Sequence, residues 1–169
     1  KKTLYPKTKR ISDGNNKVVI TEKLDGSNLG FFRVEDELII AQRNWLFKLS
    51  EIEDYKRDLY KGLYQYLIDY GEELKQLLHD NSGIFGEWIG MGRLNYRDTD
   101  IDKKFYIFAK ANLNLKKLEI YNLYYHLDLL IYPFKNQEIP PFMSVVPTIA
   151  ESENIYKVVD LDVLYEEYI

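Results

Sequence analysis

Val18-Val19-Ile20-Thr21-Glu22-Lys23-Leu24-Asp25-Gly26-Ser27-Asn28 is the stretch on which the reading of this chain turns. Its β-branched first part favours an extended, pleated backbone and predicts a strand over 18–23. Asp25-Gly26 then interrupts it. Asp-Gly between apolar runs is a hairpin signal, because glycine tolerates the positive φ of a tight turn. A second strand is expected over 29–34, a turn at Glu35-Asp36, and a third strand over 37–41. The expectation is an antiparallel meander with Lys23 beside its first turn.

Beyond it the period changes. Ser50 and Glu53 fit a capping box. Ile52, Tyr55, Leu59, Leu63 and Leu67 then recur at helical spacing, which predicts a helix to about Tyr70. Gly71 is expected to end it, with a shorter helix reaching His79. Asp80-Asn81-Ser82-Gly83 reads as a turn and Ile84-Phe85-Gly86-Glu87-Trp88-Ile89-Gly90 as a strand. Residues 95–103 read as a polar loop and Phe105-Tyr106-Ile107-Phe108-Ala109 as a strand. Helices are expected over 118–130 and 161–168, with an irregular connection at Pro140-Pro141. Strands and helices mix without regular alternation, so the fold class is α+β.

Composition narrows the function. The 169 residues suffice for one domain with a real core. Net charge is −4, so no global basic signature points to nucleic acid. The chain has no cysteine, which removes disulfides, thiolate metal sites and a cysteine nucleophile. Its two histidines, His79 and His126, read as structural. The apolar run at 127–134 is too short to span a bilayer. Lys1-Lys2-Thr3-Leu4-Tyr5-Pro6 lacks the apolar run of a signal peptide. A soluble cytoplasmic protein is expected.

Lys23 is the sharpest chemical candidate. A lysine amine attacks only once its proton is gone, and a strand end is a rigid support. Glu22 and Asp25 are near enough in sequence to orient a ligand, and Gly26 lets backbone approach a phosphate or ribose. Alone, Lys-x-Asp-Gly is more often just a turn beside a solvated lysine. Lys103, Lys104, Lys110, Lys116 and Lys117 give a local basic density. It reads as solvated, with contact to a polynucleotide backbone as the alternative.

Lys23-Leu24-Asp25-Gly26-Ser27-Asn28 resembles the nucleotidyltransferase motif of ATP-dependent ligases and mRNA capping enzymes. Asn28 stands where DNA ligases and capping enzymes usually carry arginine. That is closer to RNA ligases of the double-strand-sealing, RNA-editing type. Ala41-Gln42-Arg43-Asn44 resembles the family's next segment, whose arginine contacts the nucleotide and phosphates. Phe85-Gly86-Glu87-Trp88-Ile89-Gly90 resembles the segment whose glutamate binds ribose. Phe105-Tyr106-Ile107-Phe108 resembles the one whose aromatic ring stacks on adenine. Taken singly, Arg43 is equally a surface arginine, Glu87 the partner of an arginine such as Arg93, and Phe108 a core ring. Trp45 is open between core and base stacking.

The resemblance implies a nucleotidyltransferase fold, with antiparallel sheets and flanking helices around ATP. It implies that Lys23 forms a lysyl-AMP with Mg²⁺ present, then passes AMP to the 5′-phosphate of RNA, or DNA, at ends or nicks. Glu22, Asp25, Gly26, Asn28, Arg43, Glu87 and Phe108 would bind the nucleotide; the metal ligands stay unassigned. Two further family segments, a Glu-Gly-x-Val strand and a Lys-x-Lys strand, do not occur in 110–169. Ala109 also replaces the aspartate usual after the stacking ring. The expectation is a single nucleotidyltransferase-like domain over 1–169, cut short before those segments. The alternatives are a degenerate nucleotide- or RNA-binding domain on the same fold without ligase activity, and a capping- or DNA-ligase-type nucleotidyltransferase, against which Asn28 in place of arginine argues.

Overall fold

The structure is a computed structural model that describes residues 18–43, 45–113, 127–130 and 139–152. Its elements run β1 (Val18–Thr21), β2 (Gly26–Val34), β3 (Glu37–Gln42) and β4 (Leu46–Lys48). A 3₁₀ turn (Leu49–Glu51), α1 (Ile52–Tyr55) and α2 (Leu63–Leu77) follow. Then come β5 (Ser82–Ile89), β6 (Phe105–Leu113), β7 (Leu127–Leu130), β8 (Ser144–Val145) and β9 (Thr148–Ser152). The class is α+β, as expected. No helix among the described residues is long and apolar enough to cross a membrane.

The described residues fall into two compact units. The larger, residues 24–145, is built on one sheet in the order β4-β3-β2-β5-β6-β7, with β8 parallel to β6 and every other pair antiparallel. Glu35 and Asp36 both have positive φ, 50° and 63°, and close the expected β2–β3 turn. On one face, Leu29, Phe31, Leu38, Ile40, Ile84, Trp88, Phe105 and Ile107 join Leu63, Tyr66, Leu67 and Leu74 of α2 in a single core. Those helix positions fall at i, i+3, i+4 and i+11, so one stripe meets the sheet. Tyr66 meets Trp88 edge-on with centroids 5.0 Å apart, and its hydroxyl donates to the Phe142 carbonyl at 2.9 Å. Each large apolar side chain buried here contributes about 1.5–3 kcal/mol.

The smaller unit contains residues 18–23 and 146–152. In it β1 pairs antiparallel with β9, and the Glu22 N–H donates to the Pro147 carbonyl at 2.8 Å.

Several expectations are corrected. Asp25-Gly26 is not a hairpin: β1 takes β9 as its partner, and Gly26 already lies in the ladder opposite Ile89. The need for glycine there is close approach, because a Cβ would sit 2.2 Å from the Trp88 carbonyl oxygen. The capping box does not form. Ser50 lies inside the 3₁₀ turn and its hydroxyl donates to Glu37 Oε1 at 3.3 Å.

The long helix is broken. Residues 56–62 turn between α1 and α2, where Gly62 adopts φ 82° and the Gln42 side chain captures the backbone. Gly71 ends nothing; it is buried inside α2 against Leu49. Residues 127–130 are strand rather than the end of a helix. The remainder of that expected helix, the helix over 161–168, His126, Lys116 and Lys117 lie outside the described residues.

Candidate active site

Strand register puts two of the expected residues, Asn28 and Glu87, on the sheet face opposite α2, and sets Arg43 and Phe108 on the strands to either side. Leu29 and Trp88 belong to the α2-side core, so Asn28 and Glu87, one residue away, face the other side. They stand directly opposite each other across β2 and β5. Such pairs hold their Cβ atoms roughly 4.5–5.5 Å apart. Leu29 pairs with Gln42, so Arg43 follows at the end of β3, level with Asn28.

Phe108 comes from β6 through an irregularity. Phe85 pairs with Ala109 and Gly86 with Ile107, which leaves Phe108 as the extra residue of a bulge. Ile107 keeps to the α2-side core and Ala109, opposite Phe85, to the other face, with Phe108 between them. Both Phe108 and Glu87 are half-buried. Arg43 is exposed, and neither its guanidinium nor the Asn28 side-chain amide has a hydrogen-bond partner among the described residues.

Tyr60, which the sequence reading missed, binds this row together. Its hydroxyl donates to the Asn28 carbonyl at 3.1 Å and accepts from the Arg43 N–H at 3.2 Å. Burial raises its pKa above the ordinary tyrosine value; the Arg43 N–H and charge pull it down, and Glu87 pushes it up. Those influences place Tyr60, Arg43 and Glu87 in one electrostatic neighbourhood. Gln42, buried at the end of β3, fixes the segment that carries Tyr60. Its amide donates to the Asp58 carbonyl at 2.9 Å, and its oxygen accepts from the Tyr60 N–H at 2.8 Å. The Trp88 indole donates to the Lys61 carbonyl at 3.0 Å. One tyrosine among 15 carries no sequence signal for this role.

Asp25 faces a different task. Its Oδ2 accepts from the Leu94 N–H at 2.7 Å, and its own N–H donates to the Tyr96 hydroxyl at 2.7 Å. A Cβ on Gly92 would lie 2.5 Å from the Asp25 Cγ, so loop and motif are in close contact. Lys23 and Glu22 are exposed and belong to the smaller unit; one peptide bond joins Lys23 to Leu24 of the larger. Trp45 is 45% exposed, and its ring meets Tyr55 edge-to-face with centroids 6.4 Å apart.

Chemically, four adjacent strands bring a planar cation, an amide, a carboxylate and an aromatic ring to neighbouring positions. Arg43 suits phosphate oxygens, Glu87 suits hydroxyls, and Phe108 offers a π face. Among the described residues no group of three or more His, Asp or Glu side chains converges as a metal cage. Mg²⁺ does not need one, because it usually takes one or two carboxylates together with substrate phosphates.

A family model described as RNA ligase matches residues 16–157. No curated protein and no solved structure matches the chain.

Proposed function

The chain belongs to the RNA ligase family, and from that premise we propose that it is an ATP-dependent ligase whose nucleotidyltransferase fold forms a lysyl-AMP on Lys23. The observation that carries this reading is Asn28 of the Lys23 motif paired with Glu87 on one sheet face, with Arg43 at the end of the strand on one side and Phe108 on the strand on the other. The Lys23 amine, once deprotonated, attacks the α-phosphorus of ATP. A phosphorus–nitrogen bond forms, the bond to the bridging oxygen breaks, and pyrophosphate leaves with the electron pair. AMP then passes to an RNA 5′-phosphate, and Lys23 is released. The terminal 3′-hydroxyl attacks that activated phosphate, closes the phosphodiester and expels AMP.

In this reading Phe108 stacks on adenine, Glu87 accepts from the ribose hydroxyls, and Arg43 neutralises phosphate. Asn28 supplies a side-chain amide level with Arg43. Gly26 brings the β2 backbone close to its neighbours without a side chain in the way. Mg²⁺ would supply charge neutralisation at the phosphates. Asp25 acts through structure: its carboxylate holds the Leu94 N–H, and its own N–H donates to the Tyr96 hydroxyl.

The test is incubation with Mg²⁺ and ATP labelled at the α-phosphate, followed by denaturation. An acid-labile covalent label that Lys23→Ala abolishes supports the reading. An unlabelled protein at high ATP across a range of pH refutes it. Nicked RNA, nicked DNA and single-stranded RNA, offered in parallel, identify the strand that receives AMP.

A further inference from the structure

Residues 90–104 leave the larger unit's sheet after β5, return at β6, and line a cavity of about 510 Å³. A connection this long without helix or strand is uncommon in a compact unit, and the volume falls in the range of roughly 300–1,000 Å³ typical of ligand sites. Its backbone is held. The Thr99 hydroxyl donates to the Tyr96 carbonyl at 2.6 Å, and the Arg97 N–H to Asn95 Oδ1 at 2.9 Å. The Lys103 N–H donates to the Tyr106 hydroxyl at 3.1 Å, and the Ile89 N–H to the Lys104 carbonyl at 2.8 Å. Asp25 ties the same loop to the Lys23-Asn28 motif.

Four cationic side chains, Arg93, Arg97, Lys103 and Lys104, line this cavity against two carboxylates, Asp98 and Asp102. None of the four forms an ion pair among the described residues. Among the charged residues that line it cations outnumber carboxylates by four to two, while Asp100 of the same loop and Asp25 against it lie outside the lining. Leu94, 63% exposed, adds apolar surface to the same lining. Cations beside apolar surface, in an open cleft, match a chain of sugar phosphates better than a compact triphosphate.

We propose that this cavity is a subsite for the phosphate backbone of a polynucleotide strand, gripped by Arg93, Arg97, Lys103 and Lys104 and joined to the Lys23 motif through Asp25. The proposal rests on the ligase reading for its substrate class. Asp25 then has a dual position: its backbone follows the nucleophile's segment, and its carboxylate holds the strand-binding loop.

The experiment compares the full chain with the Arg97→Gln/Lys104→Gln double variant, both positions being exposed. Fluorescence anisotropy with a labelled, 5′-phosphorylated single-stranded RNA is read across a salt series. A DNA strand of the same sequence runs beside it, and tighter binding of one identifies the source of the backbone. The double variant is expected to bind on the order of tenfold more weakly, with a salt slope shallower by about 0.7 for each lost phosphate contact. Its self-adenylation and its melting temperature are expected to match the parent.

Unchanged affinity and slope overturn the proposal, as does failure of the parent to bind either strand. A fall in self-adenylation with strand affinity intact also overturns it, because the cavity would then serve ATP. Failure of the ligase reading looks different: no covalent label on the parent, while strand affinity still depends on Arg97 and Lys104.

Discussion

At the scale of single residues, Tyr60 joins two strand ends through one hydroxyl. It donates to the Asn28 carbonyl and accepts from the Arg43 N–H. Tyr60→Phe keeps the ring and removes both bonds, at an expected cost of about 1 kcal/mol, read by urea denaturation. The pH dependence has a definite sign. Burial raises the folded pKa of Tyr60 above its ordinary value. Its contribution is therefore complete below the unfolded value of about 10 and is lost as pH rises through the folded one. Alkaline titration of stability should show a component in the parent that Tyr60→Phe lacks. At Glu87 the expectation concerns activity. If its carboxylate accepts from ribose, Glu87→Ala forfeits charged hydrogen bonds of about 1.5–3 kcal/mol. Self-adenylation should then fall on the order of 10- to 100-fold in kcat/KM.

Elements explain why some of this was legible in the sequence and some was not. β2, β3, β5 and β6 follow from local patterns, and the Glu35-Asp36 turn is where residue chemistry placed it. The Asp25-Gly26 turn failed because Asp-Gly serves equally well at the start of a strand that passes close to a neighbour's carbonyl. Gly26→Ala should therefore destabilise by about 1–3 kcal/mol, since the clash is with Trp88 backbone and cannot be relieved by a rotamer. Leu59 kept the helical period, but the Gln42 amide captures the backbone at Asp58 and Tyr60, so a connector forms where a helix was expected. A side chain far away in sequence overrode local propensity. Gln42→Leu leaves Asp58 and Tyr60 backbone groups unpaired beneath the connector. It should cost about 1–3 kcal/mol and loosen Arg43 with it. The bulge that carries Phe108 had no sequence signature either, because it is defined by pairing with β5.

On the scale of the whole molecule, the partner of β1 was the hardest feature to read. β9 lies near the other end of the chain, and only tertiary pairing selects it over β2. Among the described residues β1 and β9 pair only with each other, whereas β2 and β5 are flanked on both sides. Two-stranded sheets are marginal alone. Amide exchange should accordingly be faster in β1 and β9 than in β2 and β5, read by hydrogen–deuterium mass spectrometry. The candidate residues were legible because four short segments occur in a recognisable order. Tyr60 and the Asp25–loop contact were not, because they depend on which segments meet. The central claim is that Lys23, in an RNA ligase family chain, takes AMP from ATP. Its most direct test is covalent labelling by α-labelled ATP with Mg²⁺. The predicted result is an acid-labile adduct on the parent that maps to Lys23 and is absent from Lys23→Ala. No adduct, or one that persists in Lys23→Ala, would contradict the claim.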